Sequence, residues 1–427
     1  MKIIPFLVLF GFLFSCQEKP EKIIISRSKY KEKLEGFWLG QCIANWTGLI
    51  TEMDKIGNIG NIKTGDFYTR NDWGKEDLPN IWGERKDSIS STINFVFKDT
   101  NEIWQADDDT DIEYMYQYLM FKNKTSKLTP KQIQKGWLKH IKKKEENYLW
   151  VSNQAAFDLM QKGVLPPETG EPKINPHTEM IDAQLTTEIF GLFSPSHPEI
   201  AIELAEIPIK TVARGEAELI AKFYIVMHAL AYRINPNIEI KKQTHQLSLD
   251  ARRFLPDSST SAKIFDFVWN LYKSDISWEE ARDSVYNRYQ VNQKDGYDIT
   301  SKNLYCNGCF AASINFAASL VSWFYGEGNI KKTIQIGTLA GWDSDNPTAT
   351  WGGLLGFIYG KKEIERIFNR KFSTKFNIHR TRQNFDNDGI DDFDHMTNMG
   401  ISVVDLVIKN LIKGNITGKN NWVIPQH

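Results

Sequence analysis

Apolar residues recur at spacings of three and four along most of this chain, and that rhythm restricts it to a helical fold. Leu34, Phe37, Trp38, Cys42 and Trp46 share one helical face, as do Ile112, Tyr116, Leu119 and Met120. Residues 217–232 and 310–325 read as long helices. Strand-type alternation is confined to residues 92–97 and the tail 422–424. The expectation is an all-α domain whose helices are joined by loops carrying Gly, Pro and Asp. One such loop, residues 163–170, reads equally as a pocket wall and as a plain connection.

Apolar residues make up 41% of the chain, enough to bury a large core, and its length suits one large domain or two smaller ones. The 52 basic and 53 acidic residues nearly cancel, which argues against a dedicated nucleic-acid binder. The chain opens with a basic residue and an apolar run too short to span a bilayer, ending at Ser15 and Cys16. This is a secretory signal. Leu13-Phe14-Ser15-Cys16 resembles the lipobox of bacterial lipoproteins, so Cys16 is expected to carry lipid and to be the sole membrane anchor. The expected organisation is a signal peptide over 1–16, a polar tether over 17–28, a helical domain over 29–371 and a small irregular extension over 372–427. Cys306 and Cys309 read as small buried residues opening a helix, because neither a βαβ pattern nor a second metal-ligating pair accompanies them.

Two acidic clusters carry the chemistry. Asp107, Asp108 and Asp109 stand in a row before Thr110, and Asp343 and Asp345 lie in Gly341-Trp342-Asp343-Ser344-Asp345-Asn346. Adjacent carboxylates repel one another, and a cation held by oxygen ligands removes the conflict. Consecutive residues inside a helix diverge by about 100°, so they converge on an ion only at a loop-to-helix junction. Both clusters precede helical runs. With no His or Cys beside them, the ligands suit Mg²⁺, Mn²⁺ or Ca²⁺. Residues 386–392 resemble a calcium loop in their alternating acids and turn Gly, but His395 stands where a closing Glu is expected, and a solvated acidic turn is the default reading.

These motifs resemble those of the ADP-ribosylglycohydrolases. Asp107-Asp108-Asp109-Thr110 is similar to the family's Thr-Asp-Asp-Thr motif. Gly341 to Asn346, followed by a small-residue helix through Gly352, Gly353, Gly356 and Gly360, is similar to its Gly-x-Asp-x-Asp-Thr motif. Leu39 to Asn45 is similar to its opening Gly-Asp-Ala-Leu-Gly element, and the resemblance runs from about Leu34 to Gly360. It implies an all-α, orthogonally packed domain with two Mg²⁺ ions and hydrolysis at the anomeric carbon of a ribose-like sugar. By position it implies Asp108, Asp109, Asp343 and Asp345 as metal ligands. Asp107 and Asn346 stand where the family has Thr and would keep an oxygen donor. Asp108, Asp109 or Glu52 would handle the proton, and Asn45, Asp182, Gln184, Glu188 and Arg214 would meet the substrate. Gln41 replaces an acidic residue, and no basic set beyond Arg214 is apparent for a pyrophosphate. An exported member is therefore also expected to suit a glycan, either as a glycosidase or as an inactive sugar binder using some of its 13 Trp.

Overall fold

The computed structural model describes residues 22–418 and 420–426. The signal peptide, Cys16 and the first part of the expected tether lie outside the described residues. Among the described residues no helix is long and apolar enough to cross a membrane.

The fold is all-α, as the periodicity predicts. In chain order the helices are α1 (Arg27–Gly48), α2 (Asp108–Asn123), α3 (Pro130–His140), α4 (Val151–Gln161), α5 (Gln184–Thr187), α6 (Ile189–Leu192), α7 (Pro198–Lys210), α8 (Glu216–Leu230), α9 (Ile240–Arg252), α10 (Thr260–Lys273), α11 (Trp278–Val285), α12 (Ala312–Gly326), α13 (Ile330–Ala340), α14 (Asp345–Tyr359), α15 (Lys361–Phe368) and α16 (Phe393–Val407). Short strands sit at the periphery: β1 (Lys22–Ser26), β2 (Asn58–Ile59), β3 (Ile62–Lys63), β4 (Trp104–Gln105), β5 (Lys375–Asn377), β6 (Ile390–Asp392), β7 (Asn415–Ile416) and β8 (Asn421–Pro425).

The core is built around α1 and α14. The Ser26 hydroxyl accepts the Lys29 N–H and starts α1. From Leu34 onward α1 is buried on nearly every face, packed by α13, α14, α15 and α16. The two central helices run antiparallel and touch backbone to backbone. A Cβ added at Gly36 would overlap the Gly356 carbonyl oxygen, and one at Gly40 would overlap that of Gly352. Glycine is required at this crossing because interiors packed to crystal density have no room for a methyl group. Trp38, Trp104, Trp137, Trp323, Trp342, Trp351 and Trp422 are fully buried, so these rings pack the core and are not free to stack on sugars.

Four expectations need correction. Residues 92–97 form no strand; Ile93 is fully buried and Phe95 and Phe97 pack on Phe368, so the alternation marks an irregular segment lying on the core. Within the expected tether, Lys22–Ser26 is strand β1, paired antiparallel with β8 in the register Ile24↔Val423. Residues 372–427, expected as a small irregular extension, include strands β5–β8 and helix α16. Strand β5 pairs in parallel with β4, and α16 packs on α1 and α2. Finally, Cys306 and Cys309 are joined by a disulfide.

Candidate active site

The glycine crossing of α1 and α14 decides where the two acidic clusters meet. Antiparallel packing sets the end of α1 beside the start of α14, and a Cβ on Gly48 would press on the Asp345 backbone. The turn before α14 is tied to the loop after α1. Trp342 N–H donates to the Lys55 carbonyl at 2.8 Å, and Met53 N–H donates to the Trp342 carbonyl at 2.9 Å. Gly341 at φ 97° and Trp342 at φ 57° turn the chain so that Asp343 points inward. A bulky residue in the left-handed region costs about 1–3 kcal/mol, offset here by these two bonds and by the Trp342 indole N–H to Gln290 Oε1, 2.9 Å.

Asp107 is the residue before α2, with Asp108 and Asp109 in its first turn; Asp107 N–H donates to Thr110 Oγ1 at 3.0 Å. Ligand atoms of Asp107, Asp108, Asp109 and Asp345 lie within 4.8 Å of one another, and so do those of Glu52, Asp343 and Asp345. Asp345 belongs to both groups. Positive helix ends at α2 and α14 favour carboxylates here, but burial and mutual repulsion prevail. Burial first, then neighbouring carboxylates, hold Asp108, Asp109 and Asp343 well above the usual carboxylate range. Glu52 is pushed up to about 8 by burial and by Asp345, against the pull of Lys86. Asp345 Oδ1 is buried without a hydrogen-bond partner. A buried anionic oxygen with no donor, shared between two carboxylate groups, fits a hard divalent cation.

Amide side chains hold the carboxylates in place. Asn45 Nδ2 donates to Asp107 Oδ2 at 3.2 Å and to Asp109 Oδ2 at 3.3 Å. Asn346 Nδ2 donates to Asp109 Oδ1 at 2.8 Å, while its own oxygen accepts from Gln184 Nε2 at 2.7 Å. Asn45 and Asn346 therefore brace Asp109, and Gln184 braces Asn346. The Asn346 oxygen expected to face a metal accepts from Gln184 here.

Behind the site, Gln41 Nε2 bonds Glu113 Oε2 at 2.7 Å and the Asp109 carbonyl at 3.2 Å. Glu188 is buried, accepts from the Thr350 hydroxyl and repels Glu113, so it belongs to this inner layer. Asp182 and Arg214 do not join the cluster. Asp182 accepts the Asn153 N–H at 2.7 Å in the first turn of α4. Arg214 is spent on the carbonyls of Lys210, Ala213 and Pro167 and on Glu171, tying the 163–170 loop to α7. The acidic loop 386–392 is likewise occupied: Asp386 pairs with Lys122, Asp391 accepts from Tyr114 and His395, and Asp392 caps α16.

A cleft of about 510 Å³ opens above the carboxylates, with Glu52, Asp107 and Asp108 on its floor. Trp82, Tyr148 and Trp150 form a wall, and Lys86 and Arg380 bring positive charge. Lys86 Nζ lies 3.1 Å from Glu52 Oε2, and Arg380 Nη1 lies 2.6 Å from Asp107 Oδ1. The wall continues as a set of nearly parallel rings. Trp82 and Trp150 are 5.9 Å apart, Trp150 and Phe310 5.0 Å, and Phe310 and Tyr305 6.3 Å. The two cations and the aromatic wall were missed by the sequence reading. Each comes from an irregular segment with no motif around it.

The family model described as ADP-ribosylglycohydrolase matches residues 26–374. The chain belongs to the ADP-ribosylglycohydrolase family. Among solved structures, one titled "ADP-ribosylglycohydrolase-related protein complex" is similar at 13% identity and a TM-score of 0.47, over 89% of this chain and 99% of that one. No curated protein matches the chain.

Membership of the ADP-ribosylglycohydrolase family supports a glycosyl-hydrolase-type function on a small-molecule or glycan substrate, and the acidic groups could bind metal ions. Asp107, the departure from the family's Thr, adds a carboxylate to the cleft floor, and Arg380 pairs with it.

Proposed function

We propose that this chain is a metal-dependent glycoside hydrolase that cleaves a bond at the anomeric carbon of a ribose-like sugar, with two Mg²⁺ ions held by Asp107, Asp108, Asp109, Asp343 and Asp345. The observation that carries this reading is the pair of carboxylate groups sharing Asp345 on the floor of a cleft large enough for a small ligand. Such cations would supply a template that holds vicinal hydroxyls of the sugar and places a water for attack. The chain's own residues do the rest. Asn45 and Asn346 hold Asp109 in place. Glu52 lines the cleft with its carboxylate 3.1 Å from Lys86 Nζ, a position from which it can exchange a proton with a bound water. Asp108, half-buried at the cleft floor, is the other candidate for that role. An oxocarbenium-like transition state would be stabilised by the surrounding carboxylates.

A second reading concerns the substrate. Four near-parallel rings beside the cleft, two of them exposed at Trp82 and Tyr305, offer a flat apolar surface of the kind that stacks on a sugar face. With the lipobox-like Cys16 this favours a glycan met outside the cytoplasm, by a protein anchored through lipid. Purified protein incubated with ADP-ribosylated substrates and with an oligosaccharide panel, with and without Mg²⁺, separates the two. Release of free ADP-ribose supports the first and sugar release from the panel supports the second. Turnover that is indifferent to chelator would overturn the metal-dependent reading.

A further inference from the structure

The family match ends at residue 374, and strand β5 begins at the next residue. From there the chain returns to the acidic turn and grips it on three sides. Strand β5 pairs in parallel with β4, the strand that leads into Asp107, and Ala106 N–H donates to the Asn377 carbonyl at 3.0 Å. Asn377 Nδ2 donates to Gln105 Oε1 at 2.8 Å. Five residues downstream of β5 the segment has supplied two arginines. Arg380 Nη1 bonds Asp107 Oδ1 at 2.6 Å and the Ala106 carbonyl at 2.7 Å, its guanidinium lying against Trp46 and Tyr148. Arg382 Nη2 bonds Asp111 Oδ1 at 2.9 Å, with both side chains fully buried. The two ion pairs flank Asp108 and Asp109 from either side along the first turn of α2. Among the described residues, Arg380 is the only cation in an ion pair with the four-carboxylate group.

We propose that residues 375–382 form a clip that sets the metal-binding turn, and that Arg380 is a positioning residue acting through Asp107. This inference rests on the metal reading above. With Oδ1 tied to Arg380 and Oδ2 held by Asn45, the Asp107 carboxylate has one orientation, and the turn that carries Asp108 and Asp109 is fixed with it. A partner that orients a ligand commonly changes metal affinity by about 10–100-fold when removed. A methionine at 380 would keep the packing on Trp46 and Tyr148 and lose both bonds.

The test uses Arg380, whose side chain is partly exposed, because a variant of the fully buried Arg382 would endanger the fold. Mn²⁺ alone is titrated calorimetrically into the full chain, and amide hydrogen exchange is followed over residues 107–113 and 345–350. Arg380→Met is expected to weaken Mn²⁺ binding by at least about 10-fold and to speed exchange in 107–113 while 345–350 keeps its protection. Arg380→Lys, which retains the charge without the fork, is expected to recover part of the affinity. In an Asp107→Asn background the further loss of Arg380 is expected to change affinity much less than in the parent. Unchanged affinity in Arg380→Met, or an undiminished effect in the Asp107→Asn background, overturns the positioning role. Should the parent chain take up no Mn²⁺, the metal reading fails, and the exchange data alone decide the clip: unchanged exchange in 107–113 overturns it.

Discussion

Asp345→Asn offers the sharpest test of the site, because its effect on stability should move from stabilising toward destabilising when metal binds. Asp345 shares one group with Asp107, Asp108 and Asp109 and the other with Glu52 and Asp343, at ligand-atom separations within 4.8 Å. Two unit charges at that distance repel by about 3 kcal/mol at an effective dielectric of about 20. Protonation relieves part of this, and the carboxylate at the start of α14 gains about 0.3–1 kcal/mol from the helix end. An isosteric amide removes the charge and retains a hydrogen-bonding group beside Asp109 and Asp343. Without metal, Asp345→Asn should therefore be more stable than the parent by about 1–3 kcal/mol. With Mg²⁺ about 100-fold above its Kd the parent gains about 2.7 kcal/mol, and the variant, lacking the ligand common to both groups, gains far less. Urea unfolding in chelator and in saturating Mg²⁺ reads both values. A variant less stable than the parent in chelator, or stabilised by Mg²⁺ as strongly as the parent, would refute the reasoning.

Other consequences follow from the inner layer, the wall and the crossing. Burial pushes Glu113 up to about 8 from an ordinary 4.5, so the native state keeps a proton that the unfolded state has already released. Stability should then fall as pH rises from about 4.5 to about 8, and Glu113→Gln should flatten that slope in equilibrium unfolding curves; an unchanged slope would exclude the assignment. Trp82→Ala should raise KM about 10-fold on whichever substrate the panel identifies, from the loss of stacking worth about 1 kcal/mol or more, with Mn²⁺ affinity unaltered; a matching fall in metal affinity would place the ring's role elsewhere. Gly40→Ala should cost about 3 kcal/mol, the upper end for overpacking, because the backbone of α14 cannot yield as a side chain would. Parent-like unfolding of this variant would show that the two helices separate readily.

The helical architecture and both acidic turns were legible in the sequence because each rests on local information. Spacing of apolar residues reports a helix face, and a row of carboxylates before a helix reports a junction where side chains converge. Glu52 came only from the resemblance, as the acid nearest to where the family offers one, and the structure sets it beside Asp343 and Asp345. What escaped was set by contacts between distant segments. Asp182 and Arg214 are a polar pair by type in a loop-rich region, yet one caps α4 and the other ties down carbonyls, and neither use leaves a mark in spacing. The 92–97 alternation failed because pairing needs a partner strand, and the core beneath it offers aromatic rings instead. Arg380 and Lys86 come from irregular segments far from the motifs they serve.

Charge gives the reason these distant cations matter. Six carboxylates, those of Glu52, Asp107, Asp108, Asp109, Asp343 and Asp345, meet two cations, Lys86 on Glu52 and Arg380 on Asp107. The excess is four negative charges, the amount that two divalent cations neutralise. In their absence burial and this excess together favour the protonated form, and Glu52, Asp108, Asp109, Asp343 and Asp345 sit above their ordinary range. Adding a carboxylate at Asp107 without a cation would have pushed the balance beyond what two such ions cancel. Arg380, delivered by the segment that follows the family match, offsets the charge of Asp107, so that two divalent cations would suffice to balance the site.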